Sequence, residues 1–155
     1  MSEISALKIL QLSFSKHQDA KLADAMSAYM RHQFQFLGIP KPLRSKLQKP
    51  FLASSKTWNV TTLHRTSKKL WSCKSREYQY TALELLWINR KLWNSETLTL
   101  LEYFIQHKSW WDTVDSISAD IVGFHFKQYS KVKKKYLAMW RRSDNFWMRR
   151  AAILF

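Results

Sequence analysis

Glycine is almost absent from this chain. Only Gly38 and Gly123 occur among 155 residues, and all three prolines, Pro40, Pro42 and Pro50, fall within one short stretch. Phosphate-cradling loops, dinucleotide fingerprints and tight β-hairpins all draw on clustered glycine, so those architectures are excluded. Outside the proline cluster no strong breaker interrupts the sequence, which argues for helices throughout. Hydrophobic residues make up 46% of the chain, enough for a folded core, and the length suits one domain, 1–155.

Apolar residues recur at helical spacing nearly everywhere. In "ISALKILQLSFSK", Ile4, Leu7, Leu10 and Phe14 form one stripe. A second helix is predicted from Asp19, a suitable N-cap, through "AKLADAMSAYMRHQF", with Gly38 as its C-cap. Pro40 and Pro42 can open the next helix but cannot continue the last. Further helices are expected near 42–54, 57–72, 75–92, 95–107, 110–127, 130–141 and 145–155, joined by short Ser, Asn or Asp connections. The expected fold class is therefore all-α, a stack of antiparallel helical pairs. "EYQYTALELL" from Glu77 and "FWMRRAAILF" from Phe146 superpose with a shared aromatic, alanine and leucine. That match fits an internal helical repeat. It equally fits two buried helices with a small residue at a crossing.

Lysine and arginine total 26 against 11 acids, a formal charge of +15. A charge this large is a statement about partners, and a polyanion, nucleic acid before a membrane, is the natural one. No apolar run approaches a membrane span, and the N-terminus lacks the basic start of a secretory signal. Cys73 is the single cysteine, so no internal disulfide can form, as in a reducing compartment such as the cytoplasm. The five histidines show no ligand spacing, and no metal is expected. Basic residues crowd the C-terminal part. From Lys127 to Arg150 nine of them, Lys133, Lys134, Arg149 and Arg150 included, face the single acid Asp144. An excess so one-sided favours phosphate contact over a merely solvated face. The chain ends on an apolar helical face, "RRAAILF", where a solenoid would carry a polar cap.

The stretch "KSWWDTVDSI", residues 108–117, sets two tryptophans beside two acids. Ser109 and Asp112 match the Ser-x-x-acid capping pattern, which gives Asp112 a sufficient structural role. Asp115 lies beyond the free amides, where aspartate is a poor helix former. A salt-bridged surface residue and a chemical role remain equally open for it. Trp111 and Asp115 are four apart and share a helical face, able to receive a flat or cationic group. Trp110 and Trp111 diverge by about 100° around the helix, so one should point inward and the other out.

"YMRHQFQFLGIPKPLR" (29–44), "KSWWDTVDSI" and "SDNFWMRRAAILF" (143–155), with a weaker match at "REYQYTALELL", together resemble the bacterial DNA alkylation repair family, the AlkD-like DNA glycosylases. The resemblance covers the chain from about residue 20. It implies a right-handed solenoid of HEAT-like helical pairs, of which this chain would be the N-terminal two-thirds. It implies a bacterial cytoplasmic monomer that excises cationic N3- or N7-alkylated purines from double-stranded DNA, with no cofactor and no metal. On the matching positions, Asp115 would be the catalytic carboxylate and Trp111 its aromatic partner. By the same match Arg150 would contact DNA and Tyr29 would lie near the lesion; Arg44, Lys133, Lys134 and Arg149 are further candidate DNA contacts of this basic chain. A truncated, non-catalytic nucleic-acid-binding module is the alternative.

Overall fold

A computed structural model describes residues 2–155, and helices account for most of them. The expected all-α class is borne out: among the described residues there is no β-strand, only an isolated bridge between Gln35 and Ser75. In chain order the α-helices are α1 (Glu3–Ser15), α2 (Ala20–Tyr29), α3 (Lys41–Leu47), α4 (Lys49–Ser54), α5 (Val60–Ser72) and α6 (Arg76–Ile88). Then follow α7 (Thr97–Gln106), α8 (Trp111–Ser116), α9 (Gly123–Gln128), α10 (Ser130–Arg141) and α11 (Phe146–Leu154). Short 3-10 turns follow α4 and α6, and a π-helical segment, Ile117–Val122, joins α8 to α9.

The chain divides into two compact units, one running to Arg90 and the other spanning Lys91–Phe155. Helical pairs contact mainly their neighbours in sequence, so a chain built from them divides readily. In the first unit α5 packs against α6 and α1 against α4. Leu10, Phe14, Phe51, Leu63, Leu70, Trp71, Leu85 and Leu86 are buried there. In the second, α11 packs on α10, α7 and α8. Leu101, Phe104, Val114, Ile117, Val122, Phe126 and Trp140 form its core. Each such apolar side chain contributes roughly 1.5–3 kcal/mol by leaving water.

Caps explain several helix starts. Asp19 accepts from the Leu22 amide, Asn59 from Thr62, and Asn145 from both Trp147 and Met148. The second helix stops earlier than its periodicity predicts. It ends at Tyr29, because Arg31 and His32 turn into the left-handed region at φ 54° and 56°. Gly38 is consequently no C-cap. At φ 80° it lets the returning loop cross the first turn of α2, where any Cβ would lie 2.0 Å from the Asp19 carbonyl oxygen.

That loop is held by a buried acid. The Glu77 carboxylate, on α6, accepts the backbone N–H groups of Leu37, Gly38 and Ile39 at 2.9 to 3.2 Å. The Arg76 guanidinium, also buried, lies 3.8 Å from the centre of the Phe34 ring. Helix α2 itself contains no buried residue. In the suggested repeat, Ala82 and Ala151 are both fully buried, whereas Leu85 is buried and Leu154 is 39% exposed. The alanines mark helix crossings; the leucine match does not extend to equivalent environments.

Candidate functional site

α7 closes at Gln106, and the chain reverses within four residues before α8 begins. Lys108 makes that turn in the left-handed region, φ 55°, a conformation that costs a side-chain-bearing residue about 1 kcal/mol. The expected capping box is not formed. Ser109 donates its hydroxyl to the Ile105 carbonyl at 2.6 Å, and Trp110 in extended conformation takes the N-cap position. A carbonyl left open at the end of α7 accepts that hydroxyl and so holds Ser109 back towards α7. Asp112 still lies in the first turn, at the positive end of the helix.

The two tryptophans diverge, but the extended backbone of Trp110 and not helical spacing separates them. Trp110 packs against Trp147 of α11, ring centres 5.7 Å apart, and its indole N–H is buried without an acceptor. Trp111 is 39% exposed at the start of α8. One turn on, Asp115 is engaged by Arg150 of α11 in a fork-on-fork pair. Nε donates to Oδ1 and Nη2 to Oδ2, both at 2.7 Å. Each side chain remains about one-third exposed, at 35% for Arg150 and 36% for Asp115. The carboxylate raises the pKa of the guanidinium further, against a small opposing effect of burial. The salt-bridged state left open for Asp115 by its spacing is thus the one the protein adopts. The pair joins residues 35 apart in sequence, a coupling that periodicity cannot reveal.

Immediately after Asp115 the helix widens into the π-helical segment, with Ser118 donating back to the Val114 carbonyl at 2.6 Å. Such a segment is a local expense in hydrogen-bond geometry, and it recurs at functional sites. Here it separates the α8 face carrying Trp111 and Asp115 from α9.

The remaining expected contacts scatter. Lys134 is exposed on α10, and Lys133 sits 4.5 Å above the Phe155 ring. Arg149 directs one guanidinium nitrogen at the Ser143 and Asp144 carbonyls, 2.6 and 2.9 Å, and so fastens the α10–α11 turn. Arg44 departs from the expectation of a surface cation. It is 8% exposed, its guanidinium stacks 4.7 Å over the Tyr80 ring, and it lines a cavity in the first unit. Tyr29, 72% exposed, stands in the same cavity wall. Sequence reasoning missed His125, buried in the second unit and stacked on Tyr129 at 4.7 Å, its Nδ1 without a partner. Burial pushes its pKa down to about 4. Among the described residues no group of histidine, cysteine and acids could hold a metal ion, and no helix is long and apolar enough to cross a membrane.

Comparison with known proteins places this geometry. A solved structure described as a predicted DNA alkylation repair enzyme from Enterococcus faecalis superposes with a TM-score of 0.80 at 33% identity. The match covers 88% of this chain and 63% of that one, so the present chain spans less than two-thirds of its length. No curated protein matches. The family model for the DNA alkylation repair enzymes matches residues 10–155, through both units and across Trp111, Asp115 and Arg150. The chain therefore belongs to the DNA alkylation repair enzyme family.

Proposed function

We propose that the protein acts in the repair of alkylated DNA, hydrolysing the N-glycosidic bond of cationic N3- or N7-alkylpurines in the duplex. The observation that carries this reading is the Asp115 carboxylate, one helical turn from an exposed indole and held by a single arginine. A purine alkylated at N3 or N7 already bears positive charge. It leaves with the bonding electron pair as a neutral base and needs no acid. What remains is an oxocarbenium-like sugar and the water that attacks it. An ionised Asp115 opposite the anomeric carbon would stabilise that cation and accept the proton from the water. The Trp111 face would add cation–π attraction to the same charge.

Arg150 couples this chemistry to DNA binding. A phosphate offers a guanidinium the same bidentate geometry as a carboxylate. Backbone contact would draw Arg150 from Asp115, leaving the carboxylate charged and available to the sugar. The exposed lysines of α10, Lys134 among them, supply the sequence-independent part of the attraction.

A second reading has an observation of its own. The same ion pair is a sufficient structural reason for Asp115, as in a non-catalytic module that only binds nucleic acid. One pair of assays separates the two. On duplex containing 7-methylguanine, Asp115→Asn should release base at least about 100-fold more slowly than the parent protein. Equal release by both proteins removes Asp115 from the chemistry. If neither releases base while Asp115→Asn binds duplex more tightly, the binding module stands.

A further inference from the structure

The first unit contains a cavity of 320 Å³ with two cations, Lys41 and Arg44, in its wall. It lies among α2, the loop through Phe36 and Ile39, α3 and α6, and is built entirely from that unit. Leu22, Ala25, Met26 and Tyr29, at the spacing of one helical face, all line it. These four are the apolar stripe of α2, the helix with no buried residue. The stripe therefore faces the cavity instead of a core, and α2 lacks the packing that normally sustains a ten-residue helix.

The polar side of the cavity is equally incomplete. Arg44 is more than nine-tenths buried, and its Nε–H has no acceptor. Glu77 also lines the wall, but its two oxygens are taken by the Leu37, Gly38 and Ile39 amides. Burial accordingly lowers the Arg44 pKa, offset only in part by Tyr80, Glu84 and Glu77. A buried guanidinium with one N–H left without an acceptor is unfavourable unless something else supplies one.

We propose that this cavity binds a small amphipathic carboxylate, its apolar body against the α2 stripe and its carboxylate paired with Arg44. The walls select the class. A phosphate or a nucleotide would bring strongly hydrated oxygens against leucine, methionine and isoleucine, and a dianion would meet the Glu77 carboxylate beside the two cations of the wall, Arg44 and Lys41. A monocarboxylate needs only the planar fork of one arginine, and its hydrocarbon body fills the rest. Occupancy would also give α2 the apolar partner it lacks. This site is independent of the Asp115 reading and survives its failure.

The test uses the full chain with octanoate, octanol and octylamine as probes, read by calorimetry and by the guanidinium N–H resonance of Arg44. Octanoate should bind saturably, at least about tenfold more tightly than octanol, and shift the Arg44 signal; octylamine should bind worst. Arg44→Met, which replaces a buried charge by an apolar side chain of similar length, should remain folded and bind octanoate no better than octanol. Ala25→Trp, which fills the cavity from α2, should abolish binding of both. Equal affinity for octanoate and octanol in the parent protein, or octanoate binding retained in both variants, overturns the proposal. So does displacement of octanoate by short duplex DNA together with loss of duplex binding in Ala25→Trp, which would mark the cavity as part of a nucleic-acid surface.

Discussion

Each unit holds one carboxylate in a conspicuous way, and the two are held differently. Glu77 in the first unit is fully buried and accepts three backbone amides. Asp115 in the second is about one-third exposed and accepts one arginine side chain. Backbone amides cannot leave without unfolding the loop that carries them. An arginine can rotate to another acceptor at little cost to the fold. An acid satisfied by the main chain is architecture, whereas one satisfied by a single exchangeable side chain remains available for chemistry.

The largest effect expected from this contrast is on Glu77. Glu77→Ala should leave three buried N–H groups without acceptors and lower stability by about 4 kcal/mol or more in urea denaturation. A loss below about 1 kcal/mol would break the comparison. His125 offers a test confined to the second unit. Its folded pKa is about 4 against an ordinary 6.5, so the fold favours the neutral ring. That stability is full above about pH 6.5 and is lost as pH falls towards 4, by up to roughly 3 kcal/mol. Denaturation midpoints at pH 7 and pH 4.5 should show it, with a smaller difference in His125→Gln.

Asp115→Asn sharpens the contrast from the other side. The pair is partly solvated, so the variant should lose no more than about 1 kcal/mol of stability, though base release collapses. Arg150→Ala should bind duplex with a logarithmic salt slope shallower by about one phosphate contact, measured by fluorescence anisotropy. Smallest of all, Lys108→Gly should gain about 0.5 kcal/mol by relaxing the left-handed turn before α8.

Helix content was legible because it depends on local spacing: Leu10, Phe14 and the cap Asp19 sit where the pattern puts them, although Ile4 of the same expected stripe is exposed. The end of α2 was not, since Arg31 and His32 adopt left-handed backbone in residue types that give no warning of it. Ser109 satisfied a capping pattern yet bonded backwards to Ile105, because a pattern counts residues and not competing acceptors. At the site, Trp111, Asp115 and Arg150 were all identifiable by resemblance, but not that the last two bind each other. The burial of Arg44 was hidden for a similar reason: a basic residue in a basic chain gives no sign of burial, and only packing reveals it in a cavity wall. Glu77 gave no sign at all, its partners being amides 38 to 40 residues earlier.

The absence of any buried residue in α2 sets how this region behaves in time. Its amides can swap protons with solvent through local fraying, without waiting for the whole molecule to open. In deuterated buffer α2 should label early, while α5 and α6, anchored by Leu63, Leu70, Leu85 and Leu86, keep their protons until global unfolding. Early labelling confined to α2 would identify the segment ending at Tyr29 as the part of the first unit that orders and loosens on its own schedule.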